Sequence, residues 1–223
     1  MHIRTLRESA WPHDAAMPTE RALDGWVSWL VARDGTIPAP VDGPAVALVR
    51  RAQRGDADAF EQLVRAAGDR LLAIARKILR DSDAADDAFQ AAMIAAWRKL
   101  PALRDPEHLD GWLYKLLVNA CYAEANRKRR FDAKIARVPA RGEGHDRVAS
   151  FDDREALERA FRTLSPAHRA VVVLHHYADL PLVEVAAILR VSAGTARSRL
   201  HYALRALRSA LEADDRPTIE ELP

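Results

Sequence analysis

The chain has a single cysteine, Cys121, among its 223 residues. One cysteine excludes an internal disulfide framework and a cluster of thiolate metal ligands, so Cys121 reads as a small apolar filler. Unbroken apolar runs are short as well, and none approaches the roughly eighteen residues that a membrane-spanning helix needs. The first residues, MHIRTLRESAWPHDAA, lack the apolar core of about seven residues that a secretory signal carries, which makes the cytoplasm the expected location. A further absence sets the fold class. No alternating apolar and polar run bounded by turns argues for a strand, and nearly every periodic segment recurs at three and four, so the chain is expected to be all-α.

What the chain does have is a hydrophobic content of 49% and a charged content of 30%, enough to bury a core and most simply divided between two small domains. The net charge of +2 conceals strong sorting. Asp81 to Asp87 holds four acids and no base; Arg127 to Arg137 holds six bases against Asp132; Arg190 to Arg208 holds five arginines and no acid. Such blocks create local fields that matter more than the total.

Periodicity predicts helices at about 19–33, 45–54, 57–80, 83–99, 109–130, 153–163, 166–178, 182–189 and 193–212. Pro139, Gly142 and Gly144 interrupt any apolar pattern between the fifth and sixth of these and mark a flexible tether. Extended at about 3.3 Å per residue, 131–153 would reach roughly 75 Å, near two turns of DNA duplex. The expected organisation is an N-terminal helical extension (1–43), a helical domain (44–130), the linker (131–153), a second helical domain (154–212) and an acidic tail (213–223).

The segment from Leu180 to Leu211 has the pattern of a helix-turn-helix. A short helix with Val185, Ile188 and Leu189 on its apolar side is followed by a tight connection, and Ser192 stands where an N-cap hydroxyl would satisfy the next helix's backbone donors. In that next helix Leu200, Leu204, Leu207 and Leu211 are expected to face the bundle, with Arg197, His201, Arg205 and Arg208 on the other side. A solvated basic face normally interleaves acids four residues before bases, and 191–211 has none. A helix in the major groove needs this division, with arginine forks for guanine edges and phosphates.

These residues resemble a known pattern. The run LSPAHRAVVVLHHYADLPLVEVAAILRVSAGTARSRLHYALRAL (164–207) is similar to region 4 of the extracytoplasmic-function sigma factors. RGDADAFEQLVRAAGDRLLAIARKILRDSDAADDAFQAAMIAAWRKL and GWLYKLLVNACYAEANRKRR are similar to their region 2. The resemblance spans about 45–212. It implies a dissociable, non-catalytic subunit of bacterial RNA polymerase, without cofactor or metal, that selects promoters and helps to open them.

The resemblance also assigns residues. Asp83, Asp86, Asp87 and Gln90 match positions that dock on the clamp helices of the beta-prime subunit; the beta flap is the second expected polymerase contact. Acids in a first helical turn also suit the helix dipole without any partner. The loop Leu103–Asp110, with Arg104 and His108, and the helix after it are expected to hold the non-template strand of the minus-ten element. There Asn119 matches the polar residue at an everted-base pocket, unless it is a buried asparagine capping a loop. Arg127, Lys128, Arg129 and Arg130 exceed what a helix C-terminus requires and suit phosphates. For the minus-thirty-five duplex, Arg197, Ser198, His201 and Tyr202 fall at groove-facing positions, with Arg199 and Arg205 expected on phosphates. An anti-sigma factor is a further candidate partner, although no residue specifies one.

The chain departs from the family pattern at several points. Tyr202 stands where many members have arginine; Arg190 replaces the usual glycine after the first helix of the motif; Pro181 replaces a serine or threonine cap; Ala91 and Met93 stand where an acid and a phenylalanine are common. Residues 1–43 lie outside the resemblance, and there Ala22, Leu23, Trp26 and Leu30 would line one side of a helix closed by Asp34 and Gly35. That extra helix is expected to pack on the region-2-like bundle, an autoinhibitory or partner-binding arm being the other reading. Two competing functions are a helix-turn-helix regulator that binds operators without polymerase, and a helical metal-dependent hydrolase using His175, His176, Asp179 and Glu184. The second is weak because adjacent histidines point about 100° apart on a helix.

Overall fold

The computed structural model describes residues 44–135 and 153–214, with side chains over 46–133 and 158–209. The expected helix at 19–33, most of the expected tether and the tail beyond 214 lie outside the described residues. All described elements are helical, as the periodicity predicts.

The first bundle begins with α1 (Pro44–Gln53), whose last residue closes it against a later loop. Gln53 Nε2 donates to Leu100 O at 3.1 Å and to Leu103 O at 2.7 Å. Helices α2 (Ala57–Leu79) and α3 (Ser82–Lys99) start at aspartates. The carboxylates of Asp56 and Asp81 accept from Ala59 N–H and Ala84 N–H, each at 3.0 Å, satisfying donors that the helix itself cannot. Along α3, Ala85, Ala88, Ala92 and Ala96 are fully buried. This spacing of three and four makes a narrow stripe, and its small side chains let neighbouring backbones approach closely.

Two 3-10 turns, Leu100–Ala102 and Pro106–His108, lead into α4 (Leu109–Ile135). It buries Leu113, Leu117, Val118 and Cys121, while Trp112 and Leu116 are half-buried against the core. Burial pushes the Cys121 thiol up to about 12, in keeping with the filler reading. The helix runs five residues past its expected end at 130, because FDAKI contains no glycine or proline to stop it. Arg70, almost wholly buried in α2, pairs with Asp110 and lies 5.5 Å from the centroid of the Tyr114 ring.

The second bundle holds α5 (Asp153–Thr163), α6 (Pro166–Val172), α7 (Leu182–Leu189) and α8 (Ala193–Asp214). Where the sequence predicts one helix over 166–178, the last turn of α6 widens into a π turn over Val173–Tyr177. Its Ala178 N–H bonds to Val173 O at 3.0 Å, a five-residue step. Arg190 ends α7 with φ 55° and ψ 45°. Val191 N–H reaches Ala186 O at 3.0 Å and Arg190 N–H reaches Ala187 O at 3.3 Å, the paired bonds of a left-handed cap that glycine usually occupies. Pro181, at the other end, supplies no side-chain cap. Ser192 does cap α8, as expected, accepting from Thr195 N–H at 3.1 Å.

The sequence predicts two bundles on a tether; the described residues form two bundles in contact. The junction is rich in cations. Arg80, itself a left-handed C-cap at φ 58°, pairs with Glu158 of α5 and lies 5.9 Å from the Phe161 ring centroid. The buried Lys77 ammonium lies 4.8 Å from the centroid of Tyr177, which the π turn carries. Arg169 of α6 is buried nearby, and desolvation together with repulsion from Arg80 brings its guanidinium down to about 10.

Replacing Arg190 by glycine removes the left-handed strain and is expected to raise unfolding stability by about 0.5–1 kcal/mol, measured by chemical denaturation. Arg80→Glu is expected to part the bundles and raise the radius of gyration in small-angle scattering. The double exchange Arg80→Glu with Glu158→Arg should reverse most of that change; a radius unaltered by either variant would contradict the junction.

Candidate nucleic-acid and polymerase interface

Helix α8 is divided lengthwise. Ala196, Ala203 and Leu207 are fully buried, and Leu200 and Leu204 are half-buried. Leu200, Leu204 and Leu207 do face the core, as expected, and Ala196 and Ala203 share that inner stripe. The Leu211 side chain lies outside the described residues. On the outer side Arg197, Ser198, His201, Tyr202 and Arg205 are exposed, as the sequence predicts. Ser198 Oγ donates to Thr195 O at 3.0 Å, which leaves its oxygen free to accept.

Arg199 and Arg208 behave differently from the rest of the basic set. Both are half-buried. The charge of Arg199 acts on Tyr122 of α4 and on His168 of α6, so this arginine lies between the two bundles. His168, in turn, has its ring centroid 4.8 Å from that of Tyr202, with the planes inclined by 33°.

In the first bundle Asp83, Asp86, Asp87 and Gln90 are all exposed on α3, opposite the alanine stripe. The same face continues into Ile94 and Trp97, which are 46% and 38% exposed although large and apolar. Trp97 rests on Phe60, ring centroids 5.0 Å apart. Sequence reasoning missed these two. The signal was present, since Asp83, Asp87, Gln90, Ile94 and Trp97 repeat at four, three, four and three.

Asn119 is exposed on α4, not buried as a loop cap, and Arg104 and His108 are exposed on the preceding loop. His108 Nδ1 donates to Asp105 Oδ2 at 2.7 Å, and Asp105 also accepts from Glu107 N–H at 3.2 Å, so the loop carries its own local scaffold. Residues that the sequence assigned to different partners meet here. Arg127 donates to Asp87 Oδ2 at 2.7 Å and pairs with Glu124 at 2.5 Å; Lys128 pairs with Asp81 at 2.5 Å. The hydrogen bond from Lys128, with that from Ala84 N–H, holds the Asp81 carboxyl below its ordinary range; the same pairing raises Lys128. Arg129 donates to the Asn126 side chain at 2.7 Å, and Arg130 is exposed.

One residue of the metal-site reading is engaged elsewhere. His175 Nδ1 donates to Leu180 O at 2.8 Å and secures the turn before α7, in which Asp179 adopts φ 52°. No three His, Cys, Asp or Glu side chains among the described residues are grouped to hold a metal ion. No described helix is long and apolar enough to cross a membrane.

Two helical modules, one with an acidic helix face beside a polar loop and the other with a basic helix-turn-helix, define an all-helical class of helix-turn-helix proteins. The comparisons narrow this class. Residues 63–131 match the family model for Sigma-70 region 2, and residues 160–209 match that for Sigma-70, region 4. An RNA polymerase sigma-E factor of Streptomyces avermitilis is 32% identical over 161 residues, covering 72% of this chain and 89% of the relative. The extracytoplasmic-function (ECF) sigma factor SigM of Mycobacterium tuberculosis H37Rv is 33% identical over 168 residues, covering 70% of this chain and 84% of the relative. Among solved structures, CnrH in complex with the cytosolic domain of CnrY has a TM-score of 0.56 at 26% identity, covering 77% of this chain and 99% of that one. RpoE of Bartonella quintana, in complex with the anti-sigma factor NepR, has a TM-score of 0.53 at 25% identity, covering 70% of this chain and 98% of that one. The chain belongs to the ECF sigma factors, promoter-selecting subunits of bacterial RNA polymerase.

Proposed function

We propose that this sigma factor reads the minus-thirty-five duplex with α8 and holds the melted minus-ten strand with the loop before α4 and with α4 itself. The observation that carries the first half is the lengthwise division of a helix that carries no acid before Glu212: a buried alanine and leucine stripe opposite exposed Arg197, Ser198, His201, Tyr202 and Arg205. Arg199 and Arg205 are assigned to phosphates. Because Arg199 is half-buried towards Tyr122 in the closed arrangement, phosphate contact requires its release from that position.

For the minus-ten strand, exposed Asn119 offers an amide that both donates and accepts, matched to the edge of an everted base. Exposed Arg104, Arg127, Lys128 and Arg130 supply cations for the strand's phosphates, and His108 adds a polar ring on the loop before α4. Asp83, Asp86, Asp87 and Gln90 dock on the beta-prime clamp helices, and Ile94 and Trp97 add an apolar end to that face; the second bundle meets the beta flap. Residues 44–130 and 154–212 act as the two modules, with 131–153 between them. The protein catalyses nothing itself, needs no cofactor and works in the cytoplasm. An anti-sigma factor is a fitting regulator, since both solved neighbours are in complex with partner proteins, one of them the anti-sigma factor NepR. An operator-binding regulator would need no acidic polymerase-facing helix, so α3 favours the sigma reading.

Arg197→Ala is expected to lower promoter-specific transcription about tenfold while core polymerase still co-purifies with the chain. Asp86→Lys with Asp87→Lys should do the reverse, abolishing co-purification; loss of polymerase binding by the first variant would overturn the assignment. If the six bases between Arg127 and Arg137 neutralise about six phosphates, holoenzyme affinity for DNA should fall with salt with a slope contribution near −5 on logarithmic axes. A complex indifferent to salt would refute it.

A further inference from the structure

Tyr202 is exposed on the outer stripe of α8, at the position where the family resemblance leads one to expect arginine. A lone phenol 59% exposed on a helix would sample several rotamers and offer no fixed edge to a base. This one is stacked. The His168 imidazole lies against it, centroids 4.8 Å apart and planes tilted by 33°, within the centroid range of favourable aromatic pairs.

His168 is itself held in place by the start of its helix. It is the third residue of α6, after Pro166, and Ser165 is the N-cap. Ser165 Oγ accepts from His168 N–H at 3.3 Å and lies 2.6 Å from His168 Nδ1. The hydroxyl has one proton and two lone pairs, so it holds Nδ1 as well as the backbone N–H, whichever ring tautomer is present. Burial, and secondarily the charge of Arg199, keep the His168 pKa below its ordinary value, which favours a neutral ring against the phenol. A chain of contacts therefore runs from a helix cap to a groove-facing side chain, Ser165 to His168 to Tyr202.

We propose that His168 is a positioning residue for promoter recognition: by stacking on Tyr202 it fixes the direction of the phenol and sets which base pair of the minus-thirty-five element that residue reads. The phenol can donate to or accept from a base edge, and its ring suits a thymine methyl group. His168 acts through Tyr202 and needs no contact with DNA of its own. This inference rests on the sigma-factor reading of α8.

The test is transcription by holoenzyme, assembled from bacterial core polymerase and the full chain, over a promoter library with the minus-thirty-five element randomised. Tyr202→Ala identifies the base pair whose preference depends on that residue. His168→Ala and Ser165→Ala are expected to flatten the preference at this one position by about two- to tenfold, leaving the other positions and core binding as they are. His168→Phe, which keeps an aromatic face, should restore it. Circular dichroism on each variant separates a folding defect from a specificity change. Equal loss at every position with His168→Ala, or no rescue by His168→Phe, would overturn the positioning role. Failure of the unsubstituted chain to give any promoter preference would overturn the sigma reading itself, an outcome that no His168 variant can produce.

Discussion

Helix-to-helix approach along stripes of alanine is the constraint on which this molecule depends. In α3 the stripe is Ala85, Ala88, Ala92 and Ala96, and in α8 it is Ala196 and Ala203 with Leu207. A methyl group lets neighbouring axes come close, so a narrow apolar stripe is enough to anchor each helix. The rest of each circumference is left for charge. That is how α3 can present a row of acids and α8 a row of bases while both remain part of a buried core. Substituting a leucine into either stripe would overfill it, at a cost of typically 1–3 kcal/mol.

The same economy appears at helix ends. Asp56, Asp81, Ser165 and Ser192 all satisfy backbone donors with side-chain oxygens. Several of these caps also touch a functional surface. Asp81 pairs with Lys128, Ser165 holds His168, and Ser192 begins the helix that carries Arg197. Local folding signals and site geometry are thus set by the same atoms.

Much of this was legible in the sequence, because the decisive signals are local. Short-range periodicity gave the helices, with α7 correct to the residue, and the absence of acids from 191 to 211 singled out α8. The strained cap at Arg190 was readable from the missing glycine. What escaped has a common cause. The widened turn at Val173–Tyr177, the Lys77–Tyr177 contact and the Arg80–Glu158 pair join residues far apart in the chain, or depend on backbone detail that side-chain pattern does not encode. The leucines of α8 face the core as read, but Ala196 and Ala203 beside them were passed over because hydrophobicity ranks leucine first. Trp97 and Ile94 were missed for a different reason, since apolar residues on an outer face read as core until the opposite face is known.

The pairing of acids with bases across α3 and α4 alters how the chain meets bulk nucleic acid. Four consecutive cations, Arg127 to Arg130, look from composition like an adhesive patch for any polyanion. In the folded chain three of them already hold an oxygen from Asp87, Glu124, Asp81 or Asn126. A random RNA or duplex reaches exposed Arg130 directly but must displace a carboxylate or amide to engage the other three, and that exchange discourages indiscriminate sticking.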